Sequence, residues 1–312
     1  MIAFGPIPSR RLGRSLGINN IASGKSCSYG CVYCQVGETL KNNIERQSFY
    51  EPGVLVDSVG NHLNKLDKEH RPDYLTFVAN GEPTLDINLG TEIKELKKFG
   101  IPIAVITNAS LLYLEEVRDD LMYADWVSVK IDSADEKAWK QINRPHGTLE
   151  LKRILDGIKT FSVEYKGKFN TETMLVANYN DSAWQIAKTA AFIAALKPGT
   201  AFLSLPIRPP AAKGIQPADE VKLAMAWQVY KDADINTELL AGFEGTDTGF
   251  TGNAYEDILN IASVHPIRED TMAALLKNEH ATGSVVHSLI SQGLIKKVKH
   301  NGMAYYVRSY KV

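Results

Sequence analysis

From about residue 53 onward, segments with apolar residues at helical spacing alternate with short apolar runs of β-forming residues, a pattern that restricts the chain to a parallel sheet covered by helices. VLVDSVGNHLNKLDKE (54–69) is helical, and DYLTFVAN (73–80) reads as a strand. LGTEIKELKKFG (89–100) is a helix closing on glycine. PIAVITNAS (102–110) and DWVSVKID (125–132) are strands on either side of the helical LLYLEEVRDDLMYA (111–124). Helices at KAWKQI (137–142) and TLELKRILDGIKTF (148–161), a strand at FNTETMLVAN (169–178), a helix at WQIAKTAAFIAAL (184–196) and a strand at AFLSLPI (201–207) continue the series. Five or six such units are too few to close an eight-fold barrel. The expected fold is α/β: a partial (β/α)6 TIM-like barrel or open sheet, with ligands at the carboxyl ends of the strands.

The pattern breaks at the glycine-rich run GFEGTDTGFTGN (242–253). Beyond it come three helical segments and a β-hairpin with Asn301-Gly302 as its turn. That order resembles a winged helix-turn-helix. The domains read as a barrel over 1–242, a linker over 243–253 and a winged helix over 254–312. With 35 Lys and Arg against 36 Asp and Glu, the net charge of −1 excludes a uniformly basic nucleic-acid coat. It leaves room for a local patch: Lys296, Lys297, Lys299, Arg308 and Lys311 share residues 294–312 with no acid. The segment 282–292, which would be the recognition helix, carries neither Arg nor Lys. Tyr305 and Tyr306 could stack on bases or pack the hairpin. No apolar run is long enough to cross a bilayer, and the N-terminal segment has Pro and Arg where a signal peptide is apolar, so the expected location is cytoplasmic, with no membrane partner.

The chain has three cysteines, an odd number that argues against a disulfide framework, and all three fall in Cys27-Ser-Tyr-Gly-Cys31-Val-Tyr-Cys34. Thiolates are soft ligands suited to iron–sulfur clusters or zinc. Three on one short loop can hold three irons of a cubane and leave the fourth open, whereas structural zinc would want a fourth ligand, for which His62 and His70 are available. Other polar residues sit at strand ends. Asn80-Gly81-Glu82-Pro83 ends one run, and Thr107-Asn108 ends the next. Ser128, Lys130 and Asp132 alternate along a strand and so share a face, as do Glu172 and Met174. Ile207-Arg208-Pro209-Pro210 follows the last strand.

C-x3-C-x2-C with an aromatic before its last cysteine, here Tyr33, resembles the signature of radical S-adenosylmethionine (SAM) enzymes. The resemblance implies one [4Fe–4S] cluster on Cys27, Cys31 and Cys34, with SAM chelating the open iron. Reductive cleavage of SAM then gives a 5'-deoxyadenosyl radical that abstracts hydrogen from a substrate. It also implies a low-potential electron donor such as flavodoxin or ferredoxin. Asn80-Gly81-Glu82-Pro83 looks like the Gly-Gly-Glu-Pro motif that meets the SAM amino group. Tyr33, Thr107, Asn108, Ser128, Lys130, Asp132, Glu172, Met174 and Ile207 fall where further SAM contacts are expected. GPIPSRRLGRSLGIN, NGEP, TN, SVKID, INRPH (142–146) and IRPPA (207–211) extend a narrower resemblance across about residues 4–211 to small one-cluster relatives of the wyosine-synthesising tRNA enzyme. This implies a macromolecular substrate, with tRNA foremost. The chain departs from the wyosine enzyme in having no cysteines for that enzyme's second cluster. Its size and SVK strand also resemble glycyl-radical activases, which makes a protein or peptide the alternative substrate. A metal-bound winged-helix regulator is the non-enzyme alternative. Arg10, Arg11, Arg14, Asn143, Arg144 and Arg208 are the residues expected to meet substrate.

Overall fold

The computed structural model describes residues 2–22, 24–39 and 42–309, so Lys311 of the basic patch lies outside the described residues. Eight strands form one sheet in chain order. β1 (Ala3–Ser9) and β2 (Gly13–Ile18) make an antiparallel hairpin. From β2 every neighbour is parallel: β3 (Tyr74–Phe77), β4 (Ile103–Thr107), β5 (Trp126–Lys130), β6 (Lys168–Met174), β7 (Thr200–Ser204) and β8 (Thr237–Leu240). The crossovers are α1 (Pro52–Lys65), α2 (Leu89–Leu96), α3 (Glu115–Leu121), the pair α4 (Glu136–Asn143) and α5 (Leu151–Glu164), α6 (Ala183–Leu196) and α7 (Glu220–Asp232). The result is the expected partial barrel.

Strand residues such as Leu75, Val105, Val127 and Leu203 are fully buried against helix residues such as Leu55, Ile93, Ile158 and Ile193. Burial of each such side chain contributes about 1.5–3 kcal/mol. Burial on both faces explains why these strands read as continuous apolar runs.

Four elements of the barrel have no place in the sequence reading: β1, β2, α7 and β8. GPIPSRRLGRSLG is broken by Pro, Gly and Arg, and β8 has only four residues. The hairpin nevertheless matters for the barrel. The guanidinium of Arg10, in the turn between β1 and β2, donates to the carbonyls of Leu240 and Gly242 at the far edge of the sheet. Leu12 packs with Trp126, Phe202 and Leu240. The turn thus fills the side of the half-barrel that no strand closes.

The C-terminal elements are α8 (Ala254–Val264), β9 (Ile267–Arg268), α9 (Glu269–Asn278), α10 (Ser284–Ser291), β10 (Ile295–His300) and β11 (Met303–Arg308). The last two form the expected hairpin, with β11 also pairing β9. Asn301 and Gly302 both have positive φ, 46° and 77°, as a tight hairpin turn requires. Ile258, Leu275, Leu289 and Ile295 share a core with Phe4 and Ile7 of β1. The glycine-rich run is not a loose tether. Gly249 N–H donates to Pro6 O at 2.7 Å, and a Cβ at Gly249 would overlap the Pro6 ring. Tyr305 and Tyr306 are both buried, which leaves neither ring open for base stacking.

Candidate active site

The cysteine loop is held by backbone bonds on both sides. On one side Ser26 N–H donates to Asn80 O at 3.2 Å, and Glu82 N–H to Ser26 O at 3.0 Å. Gly81, at φ 142°, stands directly against Ser26, and a Cβ there would overlap the Ser26 carbonyl. The close neighbour that this glycine admits is the cysteine loop itself. On the other side Gly30 and Val32 N–H donate to the carbonyls of Asn143 and Ile142 at the end of α4, at 3.0 and 2.9 Å.

The three thiols are free and rim one cavity of about 240 Å³ at the carboxyl ends of the strands. Each accepts an N–H from a different segment. Asn108 Nδ2 reaches Cys27 Sγ at 3.5 Å, Asn143 Nδ2 reaches Cys31 Sγ at 3.4 Å, and Lys25 Nζ reaches Cys34 Sγ at 3.1 Å. Burial pushes the Cys27 and Cys31 thiols up, Cys31 to about 12, with neighbouring anionic groups adding to the shift. Among the described residues no three His, Cys, Asp or Glu side chains converge on a single ion position. A cubane gives each thiolate its own iron, so dispersed thiols with N–H donors are a suitable ligand set for it.

Glu82 is fully buried at the cavity wall. Its Oε1 accepts from Thr84 N and from the hydroxyls of Thr84 and Thr107, and its Oε2 from Asn108 N at 2.7 Å. Burial raises its pKa against these bonds. Deeper in the barrel, Lys130 Nζ lies 3.3 Å from Glu172 Oε1, 3.7 Å from Asp132 Oδ1 and 4.9 Å from the centre of the Tyr33 ring. Glu172 also pairs with Arg11 and accepts from Ser204 Oγ at 2.9 Å. Burial would raise the Glu172 carboxyl, but Arg11 and Lys130 outweigh it and hold it down at about 2. Lys130 is raised for the converse reason: its two carboxylates outweigh its burial.

Of the residues singled out in the sequence, the cavity wall includes the three cysteines, Tyr33, Gly81, Glu82, Thr107, Asn108, Lys130, Glu172, Met174, Ile207, Arg10, Arg11 and Arg208. Others stand elsewhere. Asp132 is a buried hub behind the wall, taking bonds from Tyr33 OH, Asn143 Nδ2 (2.7 Å) and Met174 N (2.9 Å). Ser128 shares the Lys130 face as alternation requires, but sits one layer deeper, buried, its hydroxyl without a hydrogen-bond partner among the described residues. Asn80 and Pro83 shape the turn: Asn80 Nδ2 donates to Gly24 O, and Pro83 O accepts from Asn20. Three expected substrate contacts are displaced. Asn143 is buried between Cys31 and Asp132. The exposed Arg144 lies in a groove behind the cysteine loop, and Arg14, also exposed, bonds through its backbone to Asp73.

Gln35 and Ser204 had no assigned role in the sequence, and their contacts follow from no local pattern; Lys25, part of the positive segment before the cysteines, instead bonds Cys34 and Gly37 O. Gln35, next to Cys34, donates to Val264 O at the end of α8 (3.0 Å) and accepts from Arg208 (2.8 Å). Tyr305 OH on β11 donates to Ile207 O at 3.1 Å. Arg208 pairs with the buried Glu244, which His265 also contacts. The C-terminal elements are therefore fastened to the rim of the thiol cavity.

Comparison with known proteins agrees with this geometry. The family model of the Radical SAM superfamily matches residues 21–191. A UPF0026 protein of Methanocaldococcus jannaschii is 45% identical over 99% of this chain and 97% of its own length. A probable GTP 3',8-cyclase of Pyrococcus horikoshii is 23% identical over 60% of this chain and 56% of its own. Among solved structures, a radical SAM methyltransferase from Sphaerobacter thermophilus matches 73% of this chain and 66% of its own with a TM-score of 0.53 at 14% identity, a likeness of fold.

Proposed function

Since this chain belongs to the radical SAM superfamily and, within it, to the UPF0026 proteins, we propose that its substrate is a folded RNA, with tRNA the foremost class. It is a radical SAM enzyme, and its cofactors are a [4Fe–4S] cluster and SAM. When bound, these supply a 5'-deoxyadenosyl radical for hydrogen abstraction. Cys27, Cys31 and Cys34 hold the cluster. Glu82, fixed by Thr84, Thr107 and Asn108, meets the SAM ammonium, while the Lys130–Glu172 pair meets its polar groups deeper in the cavity. Met174 and Ile207 supply apolar wall. Burial of these groups excludes water from a reactive species. An external one-electron reductant completes the cycle.

The observation that carries the RNA reading is the position of the C-terminal elements, which we read as a winged helix: three helices and a hairpin, fastened to the cavity rim through Gln35–Val264 and Tyr305–Ile207. A macromolecule held there would be presented at the mouth. Lys296 and Lys299 are exposed on β10, while Lys297 pairs with Glu269. The guanine nucleotide for which the cyclase relative is named is consistent with a nucleic-acid substrate. The test is tRNA affinity at low and moderate salt, for the intact protein and for Lys296→Glu/Lys299→Glu. The reading requires affinity that falls steeply with salt and a shallower slope in the variant. Absence of tRNA binding, with deoxyadenosine formation stimulated instead by a protein or peptide, would overturn it in favour of an activase-like role.

A further inference from the structure

Behind the thiol cavity lies a second chamber of about 110 Å³, several water-sized volumes. The two share Arg10, Arg11 and Arg208 in their walls, so these guanidiniums border both spaces. Two carboxylates serve these three guanidiniums. Glu172 pairs with Arg11 and also takes Lys130 and Ser204. Glu244 pairs with Arg208 and also takes His265. Among the described residues Arg10 makes no direct ion pair, Glu172 acting on it only from a distance: its Nη1 donates to two backbone carbonyls, and its other N–H groups have no hydrogen-bond partner there. Burial lowers the pKa of Arg208 to about 9 and lowers that of Arg10, and in each case neighbouring guanidiniums add to the shift. His265 is held well below its usual range, first by burial and then by Arg208, and so adds no further positive charge. A partly buried cation without a directly paired carboxylate is costly, and an anion entering the chamber would relieve it.

We propose that Arg10, Arg11 and Arg208 form an oxyanion subsite that anchors a phosphate or carboxylate of the substrate, or of a co-substrate, beside the thiol cavity. The proposal rests on the reading of that cavity as the reaction chamber. It assigns the N-terminal hairpin turn a binding role as well as its role in closing the barrel. Bidentate guanidinium geometry suits both anions, and their source separates them: phosphate from a nucleotide, carboxylate from a small acid.

The test is calorimetric titration of the intact, cluster-loaded protein with inorganic phosphate and, separately, acetate. The expected result is saturable binding of one anion, weakened roughly tenfold or more by Arg10→Gln, the loss of about one charge-assisted bond. Arg14→Gln, exposed and outside both chambers, should bind as the parent does. If Arg10→Gln unfolds, Arg10→Lys keeps the charge and should keep measurable binding. Preference for phosphate identifies a nucleotide source, and preference for acetate a small acid. No saturable binding of either anion by the folded parent, or equal binding by Arg10→Gln, overturns the proposal. Deoxyadenosine formation without substrate, measured on the same samples, tests the radical SAM reading independently.

Discussion

Gly81 and Ser26 face each other across a parallel bridge one residue before the first cysteine, with no room for a Cβ between them. The motif glycine therefore positions the segment that carries Cys27, a cluster ligand in the proposed function. Gly81→Ala should cost more than about 1 kcal/mol, since it adds strain at positive φ to a steric overlap. It should also lower bound iron per chain after anaerobic reconstitution. Full iron with unchanged melting would remove the positioning role.

Cys31 lies on a loop joined to the barrel by several backbone bonds, its thiol adding one weak contact from Asn143 Nδ2. Cys31→Ala should abolish cluster binding, read as loss of bound iron and brown colour, while helical circular dichroism stays near that of the parent. Global loss of helical signal would instead make the site a structural one.

Glu172 predicts a pH dependence. Its carboxyl is depressed to about 2 by Arg11 and Lys130, against an ordinary value of 4.5. A depressed carboxyl stabilises the fold above its unfolded value and loses that contribution as pH falls toward its folded value. The contribution is on the order of 3 kcal/mol and should disappear between about pH 5 and pH 2. Lys130→Met should move the acid-unfolding midpoint, followed by circular dichroism, to higher pH. An unmoved midpoint would mean that the pair contributes nothing.

Glu244 joins Arg208 of the barrel to His265 of the C-terminal elements, with its side chain 4% exposed. Glu244→Ala leaves Arg208 without its carboxylate, a change that costs about 3–5 kcal/mol in comparable buried pairs. Limited proteolysis should then cut within 243–253, where the parent resists. Parental resistance in the variant would show that the apolar contacts to Phe4 and Ile7 suffice.

What the sequence revealed of this site depended on distance along the chain. The cysteines lie within eight residues, and alternation along β5 correctly put Lys130 and Asp132 on one face, 3.7 Å apart. The roles within that set were less legible. Asp132 and Asn143 have as partners Tyr33 and Cys31, from a loop about a hundred residues earlier, and no local pattern points to those contacts. Arg11 meets Glu172 from 161 positions away, and no periodicity encodes such a pair. The β1–β2 hairpin escaped notice because its pairing is set by the partner strand and by Phe4 and Ile7 docking on the C-terminal elements, against the local signal of its prolines and glycines.

Arg10 reaches the carbonyl of Leu240 across 230 positions. During synthesis the β1–β2 turn must wait for the last strand of the sheet, β8, before it can seat. Contacts of such long sequence separation form late, because the loop-closure entropy precedes the gain. The chamber that holds the guanidiniums is then among the last parts of the molecule to take shape. Until then the thiol loop is open to solvent on that side, so cluster loading and completion of the reaction chamber can follow one another in time.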